Sequence, residues 1–124
     1  MKVMAQTPAI LIAEDDPGIR MTLELVFQEE NLDVHFAENG QQAIDLAKSL
    51  QPQVMVVDYM MPKKDGRTVV EELKSSAATS AIPIVILSGV ARGEELDWKG
   101  AHFLGKPFSS DELIDRIKGL LVTK

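Results

Sequence analysis

The sequence contains no cysteine, which removes disulfides, thiolate zinc sites and cysteine nucleophiles from consideration. It has no run of Lys or Arg, and 13 basic residues against 19 acidic ones leave a net charge of -6. A nucleic-acid backbone must be met by clustered cations, so direct nucleic-acid binding is not expected. The acidity itself reads as a solvated surface. Long apolar runs are missing too. The opening Met1-Lys2-Val3-Met4-Ala5-Gln6-Thr7-Pro8 lacks the apolar centre of a secretory signal, and the next apolar run meets acid after five residues. Neither suits export or a bilayer span, so a cytoplasmic location without membrane contact is the expectation. No internal repeat or low-complexity tract is found.

What is there is an ordinary globular composition. The 124 residues are 45% hydrophobic and 26% charged, enough for one domain with a single well-buried core. The run Ala9-Ile10-Leu11-Ile12-Ala13 ends abruptly in Glu14-Asp15-Asp16. An unbroken apolar run of this length predicts a strand buried on both faces, which requires helices on each side of its sheet. The arrangement recurs. Val54-Met55-Val56-Val57 runs into Asp58, Ile84-Val85-Ile86-Leu87 into Ser88-Gly89, and His102-Phe103-Leu104-Gly105 into Lys106-Pro107.

Helical segments fall between these strands. Asp16 and Pro17 suit a helix start, and Ile19, Leu23 and Val26, with Leu25 and Phe27 alongside, continue it to about Asn31. Asp33-Val34-His35-Phe36-Ala37 alternates as a strand near a sheet edge would, with His35 pointing to solvent. Asn39-Gly40 is a turn before a helix carrying Ala43, Leu46, Ala47 and Leu50, and Pro52 closes that helix. Asp65-Gly66 precedes a third helix with Val69, Val70 and Leu73, and residues 75–80 form a connector. Val90 to Lys99 carries only a short helical pattern with Leu96 and Trp98. Ser109 and Glu112 form a capping box for a last helix with Leu113, Ile117, Leu120 and Leu121. Five strands alternating with five helices imply a parallel sheet, right-handed crossovers and a crevice at the carboxyl ends of the strands.

The acidic ends of the first and third strands would line that crevice. Two carboxylates about 4 Å apart repel by roughly 4 kcal/mol at an effective dielectric of 20. Such a site raises a carboxyl pKa or binds a cation. Oxygen ligands without His or Cys favour a hard cation, and Mg²⁺ typically takes one or two carboxylates plus waters and phosphate. Asp15 and Asp58 fit that role, with Glu14 acting through water. Lys106 suits a phosphoryl oxygen, Ser88 offers a hydroxyl donor, and Gly89 would allow close backbone approach. Together these groups describe a phosphoryl site with Asp58 as nucleophile.

Four motifs carry a family resemblance: Ile10-Leu11-Ile12-Ala13-Glu14-Asp15-Asp16-Pro17, Val56-Val57-Asp58-Tyr59-Met60-Met61-Pro62 with Asp65-Gly66, Pro83-Ile84-Val85-Ile86-Leu87-Ser88-Gly89, and Gly105-Lys106-Pro107-Phe108. In this order the chain resembles the receiver domain of bacterial two-component response regulators over about residues 9 to 122. The resemblance implies a flavodoxin-like, doubly wound five-stranded parallel α/β sheet of order 2-1-3-4-5. Residues 1–8 would be a flexible extension and residues 9–124 the receiver domain. It implies that Asp58 accepts a phosphoryl group from a sensor histidine kinase or histidine phosphotransfer protein. Glu14 and Asp15 would be the acidic pair, Asp15 the direct Mg²⁺ ligand, and the Met60 backbone carbonyl a further ligand. Ser88 and Phe103 would be the switch pair and Lys106 the site lysine, with Lys106-Pro107 cis.

On this reading the protein is not an enzyme beyond taking up and losing its own phosphoryl group. Phosphorylation would reshape the 88–108 region and control a downstream protein target or output domain, or a phosphorylation-dependent homodimer. Fourteen residues separate Ser88 from Phe103, fewer than the family usually carries, which implies a shortened fourth helix. Phe103 lacks the hydroxyl of the commoner tyrosine. Met60 and Val90 are apolar at the two positions that would frame an attacking water, so slow autodephosphorylation is expected. Trp98 and the Met60-Met61 pair read as packing, and His102 as structural. The alternative is a Mg²⁺-dependent phosphohydrolase with an aspartyl-phosphate intermediate, but Met60 stands where that class resembles a second Asp. A flavodoxin would need a phosphate loop after the first strand, where this chain has acid.

Overall fold

Alternation in the central strands divides the apolar side chains between two cores. The computed structural model describes residues 7–89 and 101–122. In β1 (Ala9–Ala13) Leu11 and Ala13 face one side of the sheet, and Ile10 and Ile12 the other. β3 (Val54–Asp58) does the same with Met55 and Val57 against Val54 and Val56. Both strands are buried on both faces, as their unbroken apolar runs predict.

One core is closed by α2 (Gly40–Leu50) through Ala43, Ile44 and Ala47, and by α3 (Gly66–Lys74) through Val69, Val70 and Leu73. The other is closed by α1 (Pro17–Phe27) through Leu23 and Phe27, and by α4 (Ser110–Val122) through Leu113, Ile114 and Ile117. With β2 (Asp33–Ala37), β4 (Ile84–Ser88) and β5 (His102–Gly105), the sheet is fully parallel in the order β2-β1-β3-β4-β5. This is the flavodoxin-like doubly wound architecture. The winding reverses between β1 and β3, which opens the crevice at their carboxyl ends.

Local chemistry sets the helix boundaries. The Asp16 carboxylate accepts from the Gly18 and Ile19 amides at 2.8 and 3.3 Å, capping α1 ahead of Pro17. Asn39 and Asp65 cap α2 and α3 in the same way, accepting from Gln42 N and Thr68 N. Ser109 and Glu112 exchange the reciprocal bonds of a capping box at 3.0 and 2.8 Å. Four helices thus lie among the described residues. The fifth, expected from Val90 to Lys99 and including Trp98, lies outside them, as do residues 1–6 of the expected extension.

Three expectations are corrected. α1 stops at Phe27 rather than near Asn31, because residues 28–31 turn and Asn31 adopts a left-handed φ of 56°. Leu25 does not pack: it is 61% exposed, two residues from both Leu23 and Phe27 and so on the opposite side of the helix. Gly40 is more than a turn residue. A Cβ there would stand 2.0 Å from the Lys64 carbonyl oxygen, so the start of α2 and the loop after β3 can meet only at glycine. Gly66 is similarly confined, 2.8 Å from the Tyr59 Cα.

Candidate functional site

The crevice is built from the last residues of β1 and β3. Glu14 follows β1, and its amide donates to the Ala37 carbonyl of β2 at 3.0 Å. Asp58 closes β3 and is 4% exposed, whereas Asp15 lies open to solvent. One carboxylate oxygen from each of Glu14, Asp15 and Asp58 falls within 4.8 Å of the others. Lys106 reaches in from the end of β5, its Nζ 3.0 Å from Asp58 Oδ1. Its amide donates to the Ser88 carbonyl at 2.8 Å, and the Lys106-Pro107 peptide is cis. Every one of these groups stands at the carboxyl end of a parallel strand.

Burial and like charge shape the electrostatics. Glu14 is nearly inaccessible, and its carboxyl is pushed up from 4.5 to about 7. Loss of solvent is the main cause and the neighbouring Asp58 carboxylate the next, while the Asp16 amide and the Lys106 ammonium pull the other way. Glu14 Oε1 is buried without a hydrogen-bond partner among the described residues. A buried carboxylate oxygen left unpaired beside two further carboxylates is costly, and a hard cation would relieve that cost. The donor set is therefore all oxygen, compact and acidic, and it fits Mg²⁺.

The remaining predicted residues lie along β4 and β5. Ser88 is buried at the end of β4, one position past Leu87, the register partner of Asp58, and opposite Gly105. Phe103 pairs with Ile86 and rests half-buried against the α2–α3 core. Its carbonyl accepts from Arg116 Nη1 at 3.0 Å. Met60 does not pack: its side chain is 70% exposed at the lip of the crevice, while Met61 lies against the core. Among the described residues nothing crowds Gly89: a Cβ there would meet no atom of theirs within 4 Å. His35, expected to face solvent, is half-buried, and its ring bonds Asp33 at 3.0 Å.

Sequence reasoning passed over Arg20. From α1 its Nη1 donates to the Glu14 carbonyl at 2.9 Å. The available signal was a lone cation six residues after the first carboxylate of an otherwise acidic stretch.

A parallel sheet of order 2-1-3-4-5 carries acid at the ends of β1 and β3 and lysine at the end of β5, the layout of a response regulator receiver domain. The chain belongs to the response regulator receiver domain family, which it matches over residues 10–118. It is 33% identical over 118 residues to the DNA-binding dual master transcriptional regulator RpaA of Synechocystis, covering 92% of this chain and 49% of that protein. It is 34% identical to the response regulator MprA of Mycolicibacterium vanbaalenii, covering 90% and 49%. The chain thus spans about half the length of these curated relatives. Among solved structures, the receiver domain of the Francisella response regulator 1452 superposes with a TM-score of 0.87 at 33% identity, over 95% of this chain and all of that one. The signal receiver domain of a histidine kinase from Syntrophus aciditrophicus gives 0.85 at 26% identity, over 94% and 92%. Receiver domains are signalling switches that bind Mg²⁺ at an acidic pocket. No helix among the described residues is long and apolar enough to cross a membrane.

Proposed function

We propose that Asp58 is the phosphoacceptor of a two-component signalling switch, taking its phosphoryl group from a sensor histidine kinase or a histidine phosphotransfer protein. The observation that carries this reading is the contact between a nearly buried Asp58 and the Lys106 ammonium beside two further carboxylates. An Asp58 carboxylate oxygen attacks phosphorus, the P–N bond to the donor imidazole breaks, and a mixed anhydride forms on the aspartyl side chain. Lys106, already 3.0 Å from Oδ1, is within reach of an oxygen of the incoming group.

Asp15, Asp58 and the Met60 backbone carbonyl would hold Mg²⁺, with Glu14 in support. The ion supplies charge neutralisation at the transferring phosphoryl oxygens. Burial of Asp58 keeps bulk water from competing for its carboxylate.

Ser88 and Phe103 would read the added charge. Phosphorylation exchanges a carboxylate for a bulkier, more negative group with more acceptor oxygens. The Ser88 hydroxyl moves toward it, and Phe103, resting half-buried two strand positions before Gly105, turns into the vacated volume. A full reversal from 1:99 to 99:1 requires about 5.5 kcal/mol of differential stabilisation, a scale that a few charge-assisted hydrogen bonds approach. The reshaped β4–β5 surface then controls a protein target, an output domain or a second copy. Residues 9–124 form the switch, acting in the cytoplasm.

Incubation with acetyl phosphate and Mg²⁺, followed by intact mass, tests the reading. Wild type should gain one phosphoryl group and Asp58→Asn none; no uptake by wild type at saturating metal would contradict it. Met60 and Val90 offer no polar group to guide water, so the phosphoryl group should be long-lived. Met60→Asn should shorten its lifetime in a decay assay.

A further inference from the structure

We propose that Arg20 is a positioning residue for the metal site, fixing the acidic loop through the backbone of Glu14; this rests on the Mg²⁺ reading above. Glu14 has four polar groups, and three are tied down. Its amide donates to Ala37 O at 3.0 Å, its carbonyl accepts from Arg20 Nη1 at 2.9 Å, and its Oε2 accepts from the Asp16 amide at 3.3 Å. The fourth, Oε1, is buried and has no hydrogen-bond partner among the described residues. With the other three fixed, the orientation of the carboxylate is set by its tethers. Arg20 is the tether that reaches Glu14 from the side chain of α1; the Asp16 amide and the Ala37 carbonyl are backbone groups.

The tether also closes a ring. The Arg20 amide donates to Asp16 O at 3.0 Å in the first turn of α1, while the Arg20 guanidinium returns to Glu14 O. The loop bearing Glu14, Asp15 and Asp16 is thereby clamped between its own strand end and its own helix start. Asp15, the exposed member of the acidic cluster, sits at the centre of that clamp. Partners one step removed from a metal commonly govern affinity by holding its ligands in place.

Charge and positioning make opposite predictions here. A guanidinium bound to the Glu14 carbonyl adds positive charge to the acidic loop and opposes a divalent cation, so if Arg20 acted only by charge, its removal would tighten Mg²⁺ binding. If it acts by holding the Glu14 backbone, removal weakens binding despite the lost repulsion. Mg²⁺ titration by calorimetry on the intact chain, with Arg20→Met and Arg20→Lys beside wild type, separates the two. We expect Arg20→Met to bind Mg²⁺ roughly tenfold more weakly, with Arg20→Lys between it and wild type because one ammonium replaces a planar fork. Amide shifts of residues 14–16 should scatter in Arg20→Met before metal is added. Arg20→Ala, which likewise removes both the charge and the donor, serves if Arg20→Met does not fold. Unchanged or tighter binding in a folded variant would overturn the proposal. Failure of wild type to bind Mg²⁺ would instead overturn the metal reading beneath it.

Discussion

The two sides of the crevice are built differently. On the β1–β3 side the strands are central and buried on both faces; Glu14 at the end of β1 is pinned by hydrogen bonds to Ala37, Asp16 and Arg20, and Tyr59 after β3 by its amide to Leu87 O. Gly40 and Gly66 let the β3–α3 loop close tightly against neighbouring backbone. On the β4–β5 side, β5 is a four-residue edge strand, His102 and Phe103 are only half-buried, and none of the described residues crowds Gly89. The contrast separates two needs. Ligand geometry must be held rigidly, whereas a surface that reports on the ligand needs room to move. Core packing has few alternative arrangements, so a switch is best placed where packing is looser.

Substitutions on each side should expose that difference. The largest effect is expected at Gly40→Ala, where the new methyl would collide with the Lys64 carbonyl at 2.0 Å. Because the obstacle is backbone, the cost should be about 3 kcal/mol, read by urea denaturation. A loss below about 0.5 kcal/mol would show that the β3 side is less tightly built than described.

Next comes the pH dependence of the metal-free protein. The Glu14 carboxyl is raised from 4.5 to about 7 on folding. Between those values the unfolded chain has released the proton that the folded protein still holds. Stability therefore falls as pH rises from about 4.5 to about 7 and levels off above it, by an amount of order 3 kcal/mol. Glu14→Gln should abolish that decline, which thermal melts across this window would show.

A smaller loss is expected at Asp16→Ala, which deprives the Gly18 and Ile19 amides of their acceptor. About 1 kcal/mol should be lost, lowering the melting temperature by a few degrees. The smallest effect belongs to Gly89→Ala, which should stay within about 0.5 kcal/mol because none of the described residues opposes the added methyl. If Gly40→Ala and Gly89→Ala cost the same, the asymmetry between the two sides is wrong.

The strands and helices were legible because their signals are local. Val54 to Val57 announces a buried strand, and Ser109 with Glu112 announces a helix start, in a few consecutive residues. Asp58, Glu14, Asp15 and Lys106 could be brought together because each ends such a strand, and a parallel sheet gathers those ends. What escaped depends on contacts between distant segments or on direction around a helix. Gly40 answers to Lys64, and no local pattern joins them. Leu25 looked like core because it is apolar, yet its angular position turns it outward. Met60 likewise reads as packing by composition, while the tight turn after Asp58 leaves it at the lip. Arg20 was passed over because its partner is a backbone carbonyl, which carries no residue-type signal.

The central claim is that Asp58 alone receives the phosphoryl group. Borohydride reduction of the acetyl phosphate-treated protein converts an aspartyl phosphate to homoserine, and peptide mapping then locates it. Homoserine at position 58 and nowhere else is the predicted result. Conversion at Glu14, Asp15 or any other carboxylate, with Asp58 intact, would contradict the account.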